Sequence, residues 1–177
     1  MKKRILQIVV PIAMIVAVSG IWYAKHQSEQ DALDQQASLV TVHPDFSLHT
    51  SIVNLDQLKS YGLPIIIDFG ADECAPCRQM APDLEYVNQA MQGKAIIKFI
   101  DAWKYPLETQ KFPVQVIPTQ IIFDANGNPY VPSEAVKELV DFDNYAHKDT
   151  KEHLYTVHVG PLFTDQMLAI LNDMGVF

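Results

Sequence analysis

Cysteine is scarce in this chain: its 177 residues hold two, and both lie within the stretch DECAPCRQMAP (72–82). Because the N-terminal region contains none, a lipid anchor on an N-terminal cysteine is excluded. Because there is no second C-x-x-C pair, a four-cysteine zinc site is excluded as well. The chain also lacks internal repeats and low-complexity segments, which excludes a repeat protein.

Positive charge is scarce beyond residue 25. Four of the 13 Lys and Arg residues stand at positions 2, 3, 4 and 25, which leaves nine against 21 Asp and Glu. An acidic domain of this kind argues against nucleic acid as a partner, because the phosphates would be repelled. It argues equally against an electrostatic attachment to anionic lipid.

One long hydrophobic run is present, close to the N-terminus. The segment Ile5–Ala24 carries no charge over 20 residues, and a helix of that length spans about 30 Å, the thickness of a bilayer core. Trp22 and Tyr23 stand where interfacial aromatic residues anchor a spanning helix. The pattern predicts a transmembrane signal-anchor over residues 5–24.

Basic residues predict the orientation of this segment. Three of them precede it (2–4) and Lys25 alone follows, so the positive-inside rule places residues 1–4 in the cytoplasm. The remainder of the chain is then expected on the extracytoplasmic side, where disulfides can form. Two alternatives stay open: signal cleavage near the small residues 17–19, which would release a secreted protein, and a buried core helix.

The rest of the chain divides into a linker and one domain. The stretch KHQSEQDALDQQAS (25–38) is polar and lacks proline and glycine, so residues 25–43 are assigned to a linker. Residues 44–177 are enough for one domain with a hydrophobic core, and too few for two.

Hydrophobic periodicity alternates between strand and helix along this domain. Short apolar runs predict strands at 46–48, 64–69, 95–100, 119–123 and 154–159. Apolar spacings of three and four predict helices from Asn54 to Gly62, from the cysteines to Gly93, over 106–112 and from Thr164 to Gly175. The order predicts an α/β fold with a central mixed sheet and helices on both faces, the strand 154–159 pairing with 119–123 as an edge.

The segment 129–153 is far longer than the 2–5 residues that a hairpin connection needs. Ser133 is a suitable cap for a short helix through Val140. Two interpretations of this insertion stay open, namely contact with a partner and plain surface decoration.

The cysteine pair admits three interpretations. As a structural disulfide it would close so small a loop that it removes little entropy from the unfolded chain. As a zinc site it would need further ligands, and nothing in the sequence places the candidates near it: His43, His49, His147, His153 and His158. As a redox pair it should stand at a strand-to-helix junction, which is where the sequence predicts it. We therefore favour redox chemistry.

The physical basis of this choice is the helix N-terminus. Free backbone N–H groups and the positive end of the helix dipole stabilise a thiolate on Cys74, which is expected to face solvent before the helix begins. Cys77, one turn later, is expected to face the core. Pro76 suits the helix start because its missing N–H would be unpaired there in any case.

Three stretches resemble the thioredoxin family over most of residues 45–175. IIIDFGADECAPCRQMAP is similar to the family's strand, buried acid, C-x-P-C motif and kinked helix. VIPTQIIFDANG resembles its cis-proline segment, and VHVGPLFTDQML its final strand, glycine and helix. The resemblance implies a thioredoxin-like fold in residues 44–177. It implies these site residues: the redox pair Cys74 and Cys77, the buried acid Asp68, the substrate-binding residues Ile117, Pro118 and Gly160, and the supporting residues Ala75, Pro76 and Pro82.

Several residues depart from the family pattern. Gly70 and Glu73 stand where thioredoxins usually carry tryptophan, and Ala75 replaces a glycine. Asp72 and Glu73 place two carboxylates beside the first cysteine and oppose its ionisation, so no thioredoxin redox potential is carried over. Lys98 is either the family's lysine near the buried acid or a surface lysine, because a one-residue slip in register reverses the side it faces.

The resemblance also implies a mechanism. Cys74 would attack a substrate disulfide, and Cys77 would then resolve the mixed disulfide. Asp68 would accept the proton from Cys77 as a general base with a raised pKa; the alternative is an aspartate bonded to nearby backbone amides. The backbone of Ile117 would pair with an extended substrate strand.

The sequence thus favours a membrane-tethered thiol–disulfide oxidoreductase that reduces disulfide-containing exported proteins. Since electrons must cross the membrane, a membrane thiol-relay protein is the implied donor, and both cytochrome c maturation and disulfide repair suit such an activity. No cofactor beyond the redox-active disulfide is expected, and no metal. Two alternatives stay open: a disulfide donor acting as an oxidase, and a non-catalytic thioredoxin-like binding module.

Overall fold

The computed structural model describes residues 44–177. The predicted anchor (5–24) and linker (25–43) lie outside the described residues, so both stay predictions. Within residues 44–177, no helix has the length and apolar character needed to span a bilayer.

Strands and helices alternate through the domain as the apolar pattern predicts. A turn of 3-10 helix over Pro44–Phe46 comes first. The strands are β1 (Ile65–Gly70), β2 (Ile96–Asp101), β3 (Thr119–Phe123), β4 (Asp143–Ala146) and β5 (His153–Val159). The helices are α1 (Leu55–Ser60), α2 (Ala75–Ala90), α3 (Pro106–Thr109), α4 (Glu134–Lys137) and α5 (Thr164–Asp173).

The five strands form one mixed sheet in the order β2-β1-β3-β5-β4. The β1–β2 pair is parallel, whereas β1–β3, β3–β5 and β4–β5 are antiparallel. The predicted α/β fold with a mixed central sheet is therefore confirmed. The predicted edge is wrong: β5 is internal, because residues 143–146 of the insertion form β4 and pair with its outer side.

The sheet has a hydrophobic core on each face. Alternate residues of β1 point to opposite faces, as the two-residue repeat of a strand requires. Ile66 joins Ile97 and Ile122 in packing against α2 and α5, while Ile65 and Ile67 belong to the core on the side of α1. Helices thus cover both faces, and β1 is buried along its whole length.

Helix ends agree only in part with the predicted caps. Asn54 caps α1 as predicted, because its side chain accepts a hydrogen bond from the Gln57 N–H at 3.2 Å. Thr164 does not cap α5; the helix starts after Phe163, whose N–H donates to Gln166 Oε1 at 3.0 Å. The Thr164 hydroxyl donates instead to Asp83 of α2, which ties the two helices together.

The strand predicted over 46–48 is wrong. Pro44 starts a 3-10 turn there, and the Ser47 hydroxyl donates back to the Pro44 carbonyl at 2.7 Å. Only the following residues run alongside β2: Phe99 donates its N–H to the Leu48 carbonyl and accepts from the Thr50 N–H. The segment therefore lies against the edge of the sheet without forming a strand.

The insertion is largely part of the fold. Its helix, α4, is shorter than predicted and ends before Val140, but Val136 and Val140 are both buried in the core shared with α5. Tyr130 is also buried, and its hydroxyl donates to Asp173 Oδ2 at 2.5 Å. Plain decoration is therefore the wrong description of this segment, and a role in partner binding stays a prediction.

The hydroxyl of Tyr130 should contribute to stability. Tyr130→Phe should lower the free energy of unfolding by about 1–2 kcal/mol, because Asp173 loses one donor and keeps its hydrogen bonds from Ser133. Urea unfolding at pH 7, followed by circular dichroism, measures the change. Tyr86→Phe is the matched control, since Tyr86 is 57% exposed and should lose nothing; equal losses in both variants would contradict the assignment.

Candidate active site

The cysteine pair lies at the junction of β1 and α2, as predicted. Cys74 is the N-cap residue of α2 and is disulfide-bonded to Cys77 in the first turn. The Cys74 sulfur also accepts a hydrogen bond from the Cys77 N–H at 3.4 Å, one of the free donors that a helix start provides. Pro76 stands in that first turn, where a backbone N–H would have no partner within the helix, so its absence costs nothing.

The two sulfurs differ in surroundings more than in exposure. Cys74 was expected at the surface, yet it is only 8% exposed, close to the 6% of Cys77. The reason is tertiary packing, because Ile117 closes over a small apolar cluster formed by Ala71 and the two cysteines. Cys77 and Asp68 line the same cavity, whereas the Cys74 sulfur lies 4.0 Å from the Ile117 carbonyl oxygen.

The three residues expected to bind substrate come together beside Cys74. The peptide bond between Ile117 and Pro118 is cis. The Gly160 N–H donates to the Pro118 carbonyl at 2.9 Å, which joins the two loops. Gly160 has a φ of +119°, a backbone conformation that residues other than glycine rarely adopt. The neighbouring Val116 and Val159 are exposed and give this rim an apolar surface.

Asp68 is the buried acid of the site. It is 2% exposed, and its Oδ1 accepts a hydrogen bond from Gln120 Nε2 at 2.6 Å. Burial raises the pKa of Asp68 to about 7, and the Gln120 hydrogen bond opposes that rise by stabilising the carboxylate. Asp68 can therefore exchange a proton near neutral pH, as general base catalysis requires.

Gly70 borders Asp68 and Cys77, and its lack of a side chain leaves room for the Phe99 ring. A Cβ atom at residue 70 would lie 3.3 Å from Asp68 Oδ2 and 3.4 Å from the Cys77 Cβ. The same atom would lie 2.8 Å from the Phe99 ring, too close for any real contact. Phe99 thus occupies the space that a larger residue at position 70 would need, which accounts for one departure from the family pattern.

A cavity of about 130 Å³ connects this space with the surface. Asp68, Cys77 and Phe99 line its inner part, and the exposed residues His49 and Glu85 line its outer part. The volume suffices for water, which needs little more than one probe sphere together with polar partners. The cavity is therefore large enough to admit water beside Asp68.

The acidic neighbours of Cys74 are partly neutralised. Asp72 forms a salt bridge with Lys104, which also contacts Asp101 Oδ2 at 3.3 Å. Glu73 is exposed and has no ion-pair partner in the part of the chain that the structure describes. Of the two carboxylates expected to oppose ionisation of Cys74, that of Asp72 shares Lys104 with Asp101, and that of Glu73 has no cation beside it among residues 44–177.

Lys98 is not the partner of Asp68. The β1–β2 register pairs Asp68 with Phe99 and Ile67 with Lys98, so Lys98 faces the other side of the sheet. Its Nζ donates to the carbonyls of Ser47 at 2.6 Å and Pro44 at 3.3 Å. Lys98 is also not a surface lysine, because it is only 3% exposed.

No sequence pattern identified Gln120 as a site residue. It pairs with Asp68 across β1 and β3 and is fully buried. The available signal was a glutamine two residues after Pro118, inside the apolar strand TQIIF. No metal-binding group of three or more His, Cys, Asp and Glu side chains occurs within residues 44–177.

Known proteins with similar sequences share this part of the chain. The Thioredoxin family model matches residues 52–147, a range that includes Asp68, both cysteines and Pro118 but not Gly160. A thioredoxin-like protein of Synechocystis sp. is 35% identical over 83 residues, which are 47% of this chain and 78% of that protein. Thioredoxin Y1, chloroplastic, of Arabidopsis thaliana is 34% identical over 74 residues, and the match spans 42% of each protein.

A solved structure is similar in fold. The crystal structure of chloroplastic thioredoxin z superposes with a TM-score of 0.51 and 22% sequence identity, covering 73% of this chain and 95% of that one. The sequence match and the geometry at the end of β1 lead to the same conclusion. The chain belongs to the thioredoxin family of disulfide oxidoreductases, with its redox pair at Cys74 and Cys77.

Proposed function

We propose that this protein is a thiol–disulfide reductase that acts on exported proteins from the extracytoplasmic face of a membrane. The observation that carries the thiol–disulfide exchange is the arrangement of the Cys74–Cys77 disulfide at the start of α2, with Asp68 and Cys77 on a shared cavity. This arrangement has a nucleophile, a resolving thiol and a base, each held by a different contact.

The first step is attack by Cys74. In the reduced protein its thiolate, stabilised by the N-terminus of α2, attacks one sulfur of a substrate disulfide. The substrate S–S bond breaks, a mixed disulfide with Cys74 forms, and the second substrate sulfur leaves as a thiolate that takes up a proton. The backbone of Ile117, whose carbonyl lies near the Cys74 sulfur, is placed to pair with an extended substrate chain.

The second step is resolution by Cys77. Asp68, as a carboxylate, takes the proton from the Cys77 thiol across the cavity that both residues line. The Cys77 thiolate attacks the Cys74 sulfur, the mixed disulfide breaks, and the bound substrate sulfur leaves as a thiolate and is protonated. Two electrons have then passed to the substrate, and the protein holds the Cys74–Cys77 disulfide.

A donor of two electrons must regenerate the dithiol. On the extracytoplasmic side this donor is a membrane protein that relays electrons through its thiols. The uncharged segment 5–24 would hold the present protein in the same bilayer as that donor. Substrates are disulfide-containing exported proteins, such as apocytochromes c awaiting haem or proteins with incorrect disulfides.

Thiol trapping in cells tests the direction of electron flow. Cells that express the full chain are quenched in acid, and free thiols are labelled with a maleimide that shifts gel mobility. A reductase should be found mainly as the dithiol, with variants lacking one or both cysteines as mobility markers. A pair found mainly as the disulfide would indicate an oxidase. Failure of the purified protein to speed insulin reduction by dithiothreitol would instead indicate a binding module.

A further inference from the structure

A row of three polar residues crosses the sheet behind the redox pair. Gln120 of β3 is paired with Asp68 of β1 on one side and with His158 of β5 on the other. The three residues are 2%, 0% and 9% exposed in the order Asp68, Gln120 and His158. Gln120 is therefore a fully buried polar residue in a strand whose next two residues, Ile121 and Ile122, are apolar.

The Gln120 amide directs its hydrogen-bonding capacity at Asp68. Its Nε2 donates to Asp68 Oδ1 at 2.6 Å and also lies 3.5 Å from the Met80 sulfur. Its Oε1 is buried with no hydrogen-bond partner among the described residues. An unpaired buried carbonyl is costly, so an apolar residue would serve packing better. The contact with Asp68 is what the amide provides in return.

We propose that Gln120 is a positioning residue of the resolving step: it holds Asp68 Oδ1, so that Oδ2 faces Cys77, and keeps the carboxylate ready to accept the Cys77 proton. The geometry supports this role because Asp68 Oδ2 and the Cys77 Cβ border the same position. A Cβ atom at residue 70 would lie 3.3 Å from the first and 3.4 Å from the second. This inference rests on the proposed function only where it concerns the effect of Gln120 on turnover.

Other charged and titratable groups reach the surroundings of Asp68 from several elements. From α2 and its N-terminal loop, Cys77, Asp72, Arg78 and Glu85 line the shared cavity, and His49 lines it from the segment that follows the 3-10 turn. Strand β2 presents Phe99 to Asp68, and His158 lies beyond Gln120 with its Nδ1 2.8 Å from the Asp141 carbonyl. Among the described residues, the Gln120 amide is the recorded hydrogen-bond donor to the Asp68 carboxylate, and it favours the ionised form.

Gln120→Met tests this role by removing the donor at nearly constant volume. In the disulfide form neither cysteine titrates, so the carboxyl carbon of Asp68 can be followed alone by NMR as pH changes. We expect its midpoint to rise by about one pH unit or more, since a hydrogen bond to a carboxylate is lost. The pH profile of mixed-disulfide resolution should move in the same direction. An unchanged Asp68 midpoint would overturn the proposal.

Asn88→Leu is the matched control. Asn88 is also a buried amide, 8% exposed, but its Nδ2 donates to the carbonyls of Phe46 and Ile97. Its loss should destabilise the fold without moving the Asp68 midpoint. A shift as large as that of Gln120→Met would show that any buried amide has this effect, and would overturn a specific role for Gln120.

The wild-type protein provides a measurement that does not depend on the variant folding. The side-chain amide resonances of Gln120 should shift with the Asp68 midpoint, and those of Asn88 should not. Gln120 resonances that stay constant through the Asp68 titration would overturn the proposal. Because this readout needs no substrate, a protein that shows the coupling but reduces no disulfide would refute the proposed function alone.

Discussion

Cys77→Ser should accumulate mixed disulfides with the natural substrates and with the electron donor, whereas Cys74→Ser should trap none. Cys74 stands at the N-cap of α2 beside the rim formed by Ile117 and Gly160, so its thiolate can meet a substrate chain there. Cys77 instead lines the cavity that it shares with Asp68. A serine at 77 leaves the attack intact and removes the only thiol that can release the trapped substrate.

Non-reducing gels of membranes from cells that express each variant would show the trapped species, and mass spectrometry would identify them. The double variant, with serine at both positions, measures the background. Equal trapping by the two single variants would show that the attacking and resolving thiols have been assigned wrongly. An absence of trapped species in Cys77→Ser would favour the binding-module alternative.

Asp68→Asn should slow the resolving step by about 100-fold at pH 7, since general base catalysis commonly contributes 10²–10⁴-fold. Asparagine keeps an oxygen for the Gln120 donor and has a similar volume, so the contact at 2.6 Å can persist. Attack by Cys74 should be little affected. Stopped-flow measurement of both steps between pH 5 and 9 would separate them, and an unchanged second step would remove Asp68 from the mechanism.

The same variant should be more stable than the wild type at alkaline pH. Burial raises the pKa of Asp68 from 3.8 to about 7, so the folded protein binds a proton that the unfolded chain has released. The Asp68 contribution to the free energy of unfolding is therefore most favourable below about pH 4, falls between about pH 4 and 7, and is constant above. Asp68→Asn should gain on the order of a few kcal/mol at pH 8 and nothing at pH 4.

Urea unfolding of the disulfide form at the two pH values checks this prediction. Asp83→Asn is a useful comparison, because Asp83 is a partly buried acid on α2 that accepts hydrogen bonds from Thr164. It should lose stability, not gain it, at pH 8. If the difference in free energy of unfolding between the wild type and Asp68→Asn is the same at pH 4 and pH 8, the raised pKa of Asp68 is contradicted.

Local sequence determined strands β1, β2 and β3, the two long helices and the cysteine pair. β3 has the predicted bounds, and β1 and β2 each begin and end one residue later than predicted. These strands are continuous apolar runs between proline, glycine or polar residues, and such runs are strands wherever they pair. The redox site could be predicted for a related reason, because a strand end, two cysteines and a helix start are consecutive in the chain.

Strand pairing, which brings together residues distant in sequence, decided the rest. DNYA (143–146) is polar and largely exposed, and it is a strand only because β5 provides its hydrogen-bond partners. The contact between Gln120 and Asp68 depends on the register of β3 against β1 over 52 positions of separation. The side of the sheet that Lys98 faces depends on the β1–β2 register, since one step along a strand reverses it. The burial of Cys74 likewise follows from Ile117, 43 residues away, because exposure depends on which distant segment packs over a residue.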